Sequence, residues 1–197
     1  MTSDPNEALW AQVRDGNDAM LRDGVDELVA AERLSSHLAS AEATDYRETG
    51  EVTMYGDLVT LSTLARSEST VVMAATFEPG GRLHPHDHEG FVGAMKILSG
   101  DFLVQTFEIA AGSRRPDGDP TRLRPVDTLS LSAGDVVTIT PDDGHVHQVT
   151  AGPDGGAFVD AYFMTQNPGS CRFFEATSEP DDEGAFAVTA AFDAPIH

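Results

Sequence analysis

The sequence contains a single cysteine, Cys171, and a single lysine, Lys96, among its 197 residues. One thiol cannot form a disulfide within the chain, which excludes a small secreted fold held together by disulfides. Basic residues are scarce altogether, with 12 lysines and arginines against 33 aspartates and glutamates, and the formal net charge is −21. Such an acidic surface repels nucleic acids and anionic membranes, so neither is an expected partner.

Long hydrophobic stretches are also missing. No apolar run approaches the roughly 20 residues that a membrane-spanning helix needs. Acidic side chains recur throughout the first 45 residues, where a signal peptide would have a basic start and an apolar run. We therefore expect a cytoplasmic protein, and 197 residues have room for one domain with an added segment.

Residues 1–47 are predicted to form a helical segment. Asp4-Pro5-Asn6-Glu7 resembles a helix start, and Gly16 is expected to end that first helix. A second helix is predicted around residues 18–43, with an interruption at Gly24. Its apolar stripe is predicted to contain Leu21, Val25, Leu28 and Val29. His37 lies in this helix and is expected at the surface.

Residues 48–197 have the pattern of an all-β domain. Short apolar or β-branched runs alternate with glycine, proline and aspartate, which indicates a sandwich or barrel of short strands. The predicted strands are 58–64, 70–77, 83–88, 92–98, 102–109, 128–131, 136–140, 145–150, 157–163, 171–176 and 186–190. Residues 111–126 are expected to form a polar loop between the two halves of the domain.

Five of the seven histidines form two short clusters, His84-Pro-His86-Asp-His88 and His145-Val-His147. Imidazole in its neutral form is the commonest metal-binding side chain. Alternate residues of a strand point to the same face, so His86 and His88 can bind one ion, and a second strand can supply His147. His145 shares a strand face with His147 and competes for the third position. His84 is expected at the rim of the barrel.

The spacing of these histidines resembles that of the cupin superfamily, whose fold is a double-stranded β-helix, or jelly-roll barrel. Gly80, five residues, His86, one residue, His88 and later Gly100 follow the first cupin motif. The second motif is represented by Gly134, Pro141, Gly144 and His147. In many cupins a glutamate four or five positions after the second histidine completes the metal site. Val92 and Gly93 occupy those positions here, so the resemblance implies a site of three histidines, His86, His88 and His147.

The segment from His86 to Gly100 also resembles the thiol dioxygenases, in particular the 2-aminoethanethiol dioxygenase and plant cysteine oxidase family. Further similarity follows in residues 146–151, in residues 157–160 and in Cys171-Arg172-Phe-Phe, so that about residues 75–176 are covered. The resemblance implies Fe(II) as the cofactor, with Zn, Ni or Mn as alternatives, and a small thiol and O2 as the partners. The sulfur would be oxidised to the sulfinate.

Two features bear on that chemistry. Three neutral imidazoles leave Fe(II) with its full dipositive charge, which favours an anionic thiolate ligand and lowers the pKa of the thiol. A proline pair and a tyrosine that usually follow in the family are replaced by Thr165-Gln-Asn-Pro168, so the substrate is not defined by the resemblance.

Asp160 is the candidate catalytic residue. It lies in an otherwise apolar run, residues 157–163, and either points outward or forms a buried carboxylate. In the second interpretation it orients a ligand histidine or contacts a substrate amine, as the family resemblance implies. Cys171 is interpreted either as a small core residue or as a neighbour of the site.

Two other functions fit the same histidines. A zinc ion bound by three histidines can activate water, as in a hydrolase or hydratase. Alternatively, the chain is a non-catalytic binding module with a structural metal. Both a monomer and a homodimer are compatible with the sequence.

Overall fold

The structure is a computed structural model that describes residues 5–40, 52–55, 57–88, 91–112, 121–139, 146–164 and 170–195. Within these residues, two helices come before nine strands, as the predicted order requires. The elements are α1 (Pro5–Arg22), α2 (Glu27–Ser40), β1 (Val52–Tyr55), β2 (Asp57–Arg66), β3 (Thr70–Asp87), β4 (Phe91–Ile109), β5 (Arg122–Ser132), β6 (Val136–Ile139), β7 (Val146–Met164), β8 (Ser170–Ala176) and β9 (Phe186–Pro195).

The first helix is longer than predicted. The prediction that it ends at Gly16 is wrong, because α1 continues through this residue for another turn and a half. A glycine inside a helix costs only about 1 kcal/mol relative to alanine, which burial of the apolar face outweighs. The buried apolar side chains of α1 are Trp10, Val13 and Met20. The chain turns at Gly24, whose φ of +66° is common just after a helix. The predicted start at Asp4 lies outside the described residues.

The second helix begins later than predicted, at Glu27, because residues 18–22 belong to α1. The predicted apolar stripe is wrong at Val29, which is 39% exposed. The buried face of α2 consists of Ala30, Ala31, Leu34 and Leu38. His37 is exposed, as predicted. The side chains of Leu21 and Leu28 and the predicted end at residue 43 lie outside the described residues.

Three strands are about twice as long as predicted. β3, β4 and β7 each contain two of the predicted short strands. Residues that the sequence suggests as turns instead lie at irregularities within the strands, where the register shifts between Phe77 and Arg82 and between Gly100 and Phe102. Gly100 has a φ of +80°, and a Cβ at this position would overlap the carbonyl oxygen of Gly155. The glycine therefore allows the paired strands β4 and β7 to approach closely at this irregularity.

β5 begins within the segment that was predicted as a loop. Leu123 pairs with Ile109 and Pro125 pairs with Phe107, so the prediction of a loop up to residue 126 is wrong. Leu123 is fully buried, which explains why this part of the polar segment joins the sheet. β1, which was not predicted, pairs with β2.

The strands close into a ring. Hydrogen-bonded neighbours follow the order β1-β2-β3-β7-β4-β5-β9-β8, and β8 returns to pair with β3. The pair that closes the ring is His86 and Phe173. β6 lies off this path and pairs with the first part of β4. The predicted all-β barrel with an N-terminal helical segment is confirmed.

Hydrophobic cores lie on both faces of the barrel wall. Alternate residues of β3 and β7 face the helices, where Val72 and Val159 pack with Leu34 and Leu38 of α2. The intervening residues face inward, as Phe77 and Phe158 do. The helices therefore cover the outer face of the wall. None of the described helices is long and apolar enough to cross a membrane, and the predicted boundary between residues 47 and 48 lies outside the described residues.

Lys96 fixes α2 to the wall. Its side chain is 7% exposed, and Nζ donates hydrogen bonds to the carbonyl oxygens of Leu38 (2.8 Å) and Ala39 (3.2 Å). These carbonyls belong to the last turn of α2, where a helix leaves its carbonyl groups without intrahelical partners and where a positive charge is favourable.

Candidate metal centre

Three histidines from the two sequence clusters converge inside the barrel. His86 lies on β3 opposite His147 of β7, and His88 follows the end of β3. One ring nitrogen from each histidine can be chosen so that all lie within 4.8 Å of one another, and Nε2 of His88 is 3.2 Å from Nε2 of His147. In the part of the chain that the structure describes, this is the one group of histidine, cysteine or acidic side chains arranged to hold a metal ion.

Of the other two clustered histidines, His84 and His145, the structure describes His84. His84 is not part of the group, but its carbonyl oxygen is 2.8 Å from Nδ1 of His86. His145, the competitor for the third position, lies outside the described residues. The hydrogen bond to the His84 carbonyl has a chemical consequence: Nδ1–H of His86 is the donor, so Nε2 keeps its lone pair free for a ligand.

All three rings are neutral at pH 7. Burial lowers the pKa of His86 to about 4, an effect that its hydrogen bond to the His84 carbonyl partly offsets. Burial also lowers the pKa of His88 and of His147 well below the ordinary value of 6.5, and the neighbouring imidazoles lower both further. A neutral imidazole is the form that binds a metal, so burial prepares these side chains for this role.

The arrangement fits a transition-metal ion. Imidazole nitrogens bind such ions at about 2.1 Å, so two adjacent ligands of one ion are roughly 3.0 to 3.4 Å apart, depending on the coordination geometry. The separation of 3.2 Å between the two Nε2 atoms lies in this range. Three nitrogen donors without an oxygen donor suit Fe, Zn, Ni or Cu better than Mg or Ca.

Gly93 explains why a carboxylate ligand cannot come from the position that many cupins use. Val92 faces the helices in the outer core, so its position is unsuitable. Gly93 faces inward, but a Cβ there would lie 2.5 Å from both the Ala161 carbonyl oxygen and Cδ1 of Tyr162. The ring of Tyr162 occupies this space and stacks on His88, with centroids 5.0 Å apart and an interplanar angle of 24°.

Asp160 faces the interior of the barrel, on the same side of β7 as Phe158 and Tyr162. Its Oδ2 accepts a hydrogen bond of 2.7 Å from the Tyr162 hydroxyl. Although the residue as a whole keeps some exposure, Oδ1 is enclosed and has no hydrogen-bond partner among the described residues. Burial raises the pKa of Asp160 to about 7. The carboxylate thus contacts Tyr162 rather than a histidine ring.

Tyr162 was not singled out from the sequence. Burial raises the pKa of its hydroxyl well above 10, and the neighbouring Asp160 and Cys171 raise it further. The phenol therefore stays protonated and can donate to Asp160. Cys171 itself is 5% exposed and packs in the inner core. It is therefore a core residue that is also a neighbour of Tyr162. A sequence signal for Tyr162 exists only in its alternation with Asp160 along one strand.

β8 contacts the histidines as well. The ring of Phe173 stacks on His86, with centroids 4.9 Å apart and an interplanar angle of 21°. On the opposite face of the two strands, Asp87 forms a buried ion pair with Arg172, in which Oδ2 lies 2.6 Å from Nη2. Sequence reasoning assigned no role to this pair, because no local pattern connects residues that are 85 positions apart.

Comparisons with known proteins find distant structural similarity. No curated protein matches the chain in sequence. Among solved structures, it is similar to an RmlC-like cupin from Shewanella frigidimarina NCIMB 400, with a TM-score of 0.43, 19% identity and coverage of 64% of this chain and 95% of the other. It is also similar to KdgF from Halomonas sp., with a TM-score of 0.42, 15% identity and coverage of 62% and 94%. Similarity at this level carries no information on substrate or activity.

One protein family matches the chain in sequence over a larger part of its length than these structures cover. The PCO_ADO family matches residues 28–190, which include α2 apart from its first residue, strands β1 to β8, the first half of β9 and the three converging histidines. This is the family that the histidine spacing and the segment from His86 to Gly100 resemble. The chain therefore belongs to the PCO_ADO family, the cysteamine and plant cysteine oxidase family of the cupin superfamily.

Proposed function

We propose that the protein is an Fe(II)-dependent thiol dioxygenase that oxidises a small aminothiol or a cysteine-type thiol to the sulfinate. The observation that carries the proposal is the group of three neutral imidazoles, His86, His88 and His147, which no carboxylate of the described residues joins, in a family of iron-dependent oxygenase-type enzymes. We assign all three as iron ligands. A dipositive ion keeps its full charge among neutral ligands, so it attracts a thiolate more strongly than a site with one carboxylate does.

The overall reaction needs no external reductant. A thiol and one O2 give one sulfinic acid: both oxygen atoms bond to sulfur, the sulfur loses four electrons and O2 accepts them. Iron, when bound, supplies a Lewis-acidic centre that lowers the pKa of the thiol and activates O2. The protein holds the three imidazoles in their neutral form through burial, and it fixes the ring of His86 through the His84 carbonyl.

Asp160 is the residue that we expect to recognise the substrate. An enclosed carboxylate oxygen without a partner is costly, and a substrate ammonium group can satisfy it with a charge-assisted hydrogen bond. Tyr162 connects this carboxylate to the metal site, because its hydroxyl bonds Asp160 while its ring stacks on His88. An aminothiol could then place its amine at Asp160 and its sulfur beside the histidines.

A thiol panel tests this function. The protein is loaded with Fe(II) without oxygen and then given cysteamine, cysteine, a peptide with N-terminal cysteine and 3-mercaptopropionate, while O2 uptake and the mass of the product are recorded. We expect sulfinate from an aminothiol, and little reaction with 3-mercaptopropionate, because its carboxylate would be repelled by Asp160. Absence of O2 uptake with every thiol would refute the proposal.

Metal analysis separates the zinc alternative from iron chemistry. Protein purified without added metal should contain iron, and iron should restore thiol oxidation to metal-free protein. Bound zinc together with esterase or hydratase activity would instead support the hydrolytic function. Metal without activity in either assay would support a binding module.

We also infer a cytoplasmic protein whose partners are the small thiol and O2. The formal net charge of −21 disfavours nucleic acids and anionic membranes as partners. A monomer or a homodimer is expected, and light scattering of the purified protein distinguishes the two.

A further inference from the structure

The contact between β3 and β8 lies at the candidate metal ligands. β8 pairs with β3 at one position, His86 opposite Phe173, and this pair closes the barrel. On its other edge the same part of β3 pairs with β7, which brings His147 beside His86. His86 is therefore held between two strands, and β8 pairs with β3 at this one position.

Strand alternation divides the β3–β8 contact into two layers. On the inner side, the ring of Phe173 stacks on His86. On the outer side, Asp87 and Arg172 meet, because each follows or precedes the inward residue by one position. Asp87 separates His86 from His88, so any displacement of its backbone moves both rings.

The ion pair engages both carboxylate oxygens of Asp87 and fixes the backbone as well as the side chains. Oδ1 of Asp87 accepts a hydrogen bond of 3.0 Å from the backbone N–H of Arg172, while Oδ2 accepts one of 2.8 Å from Nε and lies 2.6 Å from Nη2. The side chains are 5% and 19% exposed. A carboxylate that binds both the backbone and the guanidinium group of one residue, with so little solvent contact, defines one geometry, which exposed ion pairs do not.

We propose that the Asp87–Arg172 ion pair is a positioning element of the metal site: by joining β8 to the residue between two histidine ligands, it sets the affinity of the site for a divalent metal ion. Both residues act through the backbone of β3 and do not contact the metal. The inference rests on the proposed function only in taking His86 and His88 as metal ligands.

Substitution of Arg172 by methionine tests the proposal, with Arg124 as a matched control. Arg124 also pairs with an acidic residue of a neighbouring strand, Glu108, but that pair is 48% and 45% exposed. Affinity for Co(II) is measured on metal-free protein by competition with a chelator, together with the visible absorption spectrum of bound Co(II) and the urea midpoint of the metal-free protein. We expect Arg172→Met to weaken Co(II) binding about 10- to 100-fold and to change the spectrum, and Arg124→Met to do neither.

The spectrum and the affinity distinguish positioning from stability. A purely structural role would lower the urea midpoint but leave both properties of the folded protein unchanged, and this result would overturn the inference. Arg172→Lys keeps the charge but cannot make both guanidinium contacts to Oδ2 of Asp87, so we expect it to retain only part of the affinity. Should Arg172→Met fail to fold, Asp87→Asn serves instead, because its amide oxygen can still accept the Arg172 backbone N–H.

The outcomes separate this inference from the proposed function. Only the positioning role would be contradicted if the wild type binds Co(II) and oxidises a thiol with iron, and the Arg172→Met variant binds Co(II) with equal affinity. Wild-type protein that binds metal tightly and loses affinity in the variant, but oxidises no thiol, would contradict only the proposed function.

Discussion

Replacement of Asp160 by asparagine should stabilise the metal-free protein, and the gain should grow with pH. Burial raises the pKa of this carboxyl from 3.8 to about 7 in the folded protein. Between these two values the folded state holds a proton that the unfolded chain has released, so stability falls as the pH rises from about 4 through 7. Asparagine is neutral throughout and avoids this loss. Its amide oxygen can still accept the hydrogen bond from Tyr162.

The size of the effect follows from the pKa difference. A difference of about three units, at about 1.4 kcal/mol for each, amounts to roughly 4 kcal/mol at pH 8, where both states are ionised. At pH 5 the folded carboxyl is still protonated, and the same calculation gives a loss of stability of roughly 2 kcal/mol. The advantage of the Asp160→Asn variant should therefore grow by roughly 2 to 3 kcal/mol between pH 5 and pH 8.

Urea unfolding of metal-free protein at several pH values measures this difference. Trp10, the only tryptophan, is 2% exposed in the helix–sheet core and reports unfolding by fluorescence. Asp154→Asn is the matched control: this aspartate lies on the same strand but is exposed, so its replacement should give no such trend. An Asp160→Asn effect that is independent of pH, or that destabilises at pH 8, would refute the reasoning. In the iron-loaded protein the same variant should lose at least about tenfold in kcat/KM for an aminothiol, because the ammonium loses its charged partner.

Three further outcomes are expected. His86→Ala should abolish binding of a divalent metal while His84→Ala retains it, since the His84 side chain is not part of the metal-holding group and its backbone carbonyl bonds His86. Dialysis followed by metal analysis compares the two variants, and equal binding would contradict the assignment of ligands. Gly93→Ala should lower the free energy of unfolding by about 1–3 kcal/mol, because the added Cβ meets the Ala161 carbonyl and the Tyr162 ring at 2.5 Å, and an unchanged urea midpoint would show that the space exists. Lys96→Met should lower the free energy of unfolding by about 1–3 kcal/mol, because the hydrogen bonds to the end of α2 are lost. The red shift of tryptophan emission should then occur at a lower urea concentration than in the wild type. Coincident unfolding curves would show that Lys96 does not fix the helix.

Local patterns in the sequence were sufficient for the centre of the site. His86 and His88 alternate along one strand, and that alternation places both on one face whatever strand lies beside them. The glycines around them agree with a barrel. The orientation of Asp160 stayed open in the sequence, and the structure places it on the inward face with Phe158 and Tyr162. The order of a helical segment before a β domain also follows from periodicity and turn residues alone.

Contacts between distant segments could not be predicted from local sequence patterns. Arg172 becomes partner to Asp87 only when β8 closes the barrel, and Tyr162 fills the space beside Gly93 only through the register of β4 with β7. Gly100 illustrates a second limit. This residue was a turn signal in the sequence, but in the structure it lies within a continuous strand and allows β4 and β7 to approach closely.

The fate of oxygen tests the account most directly. Iron-loaded protein is supplied with cysteamine under ¹⁸O2, and the product is analysed by mass spectrometry. We expect a sulfinate that carries two ¹⁸O atoms, and no such product from the His86→Ala variant. A product with one labelled atom, with oxygen from water, or with equal yield from the metal-free protein would contradict a dioxygenase centred on His86, His88 and His147.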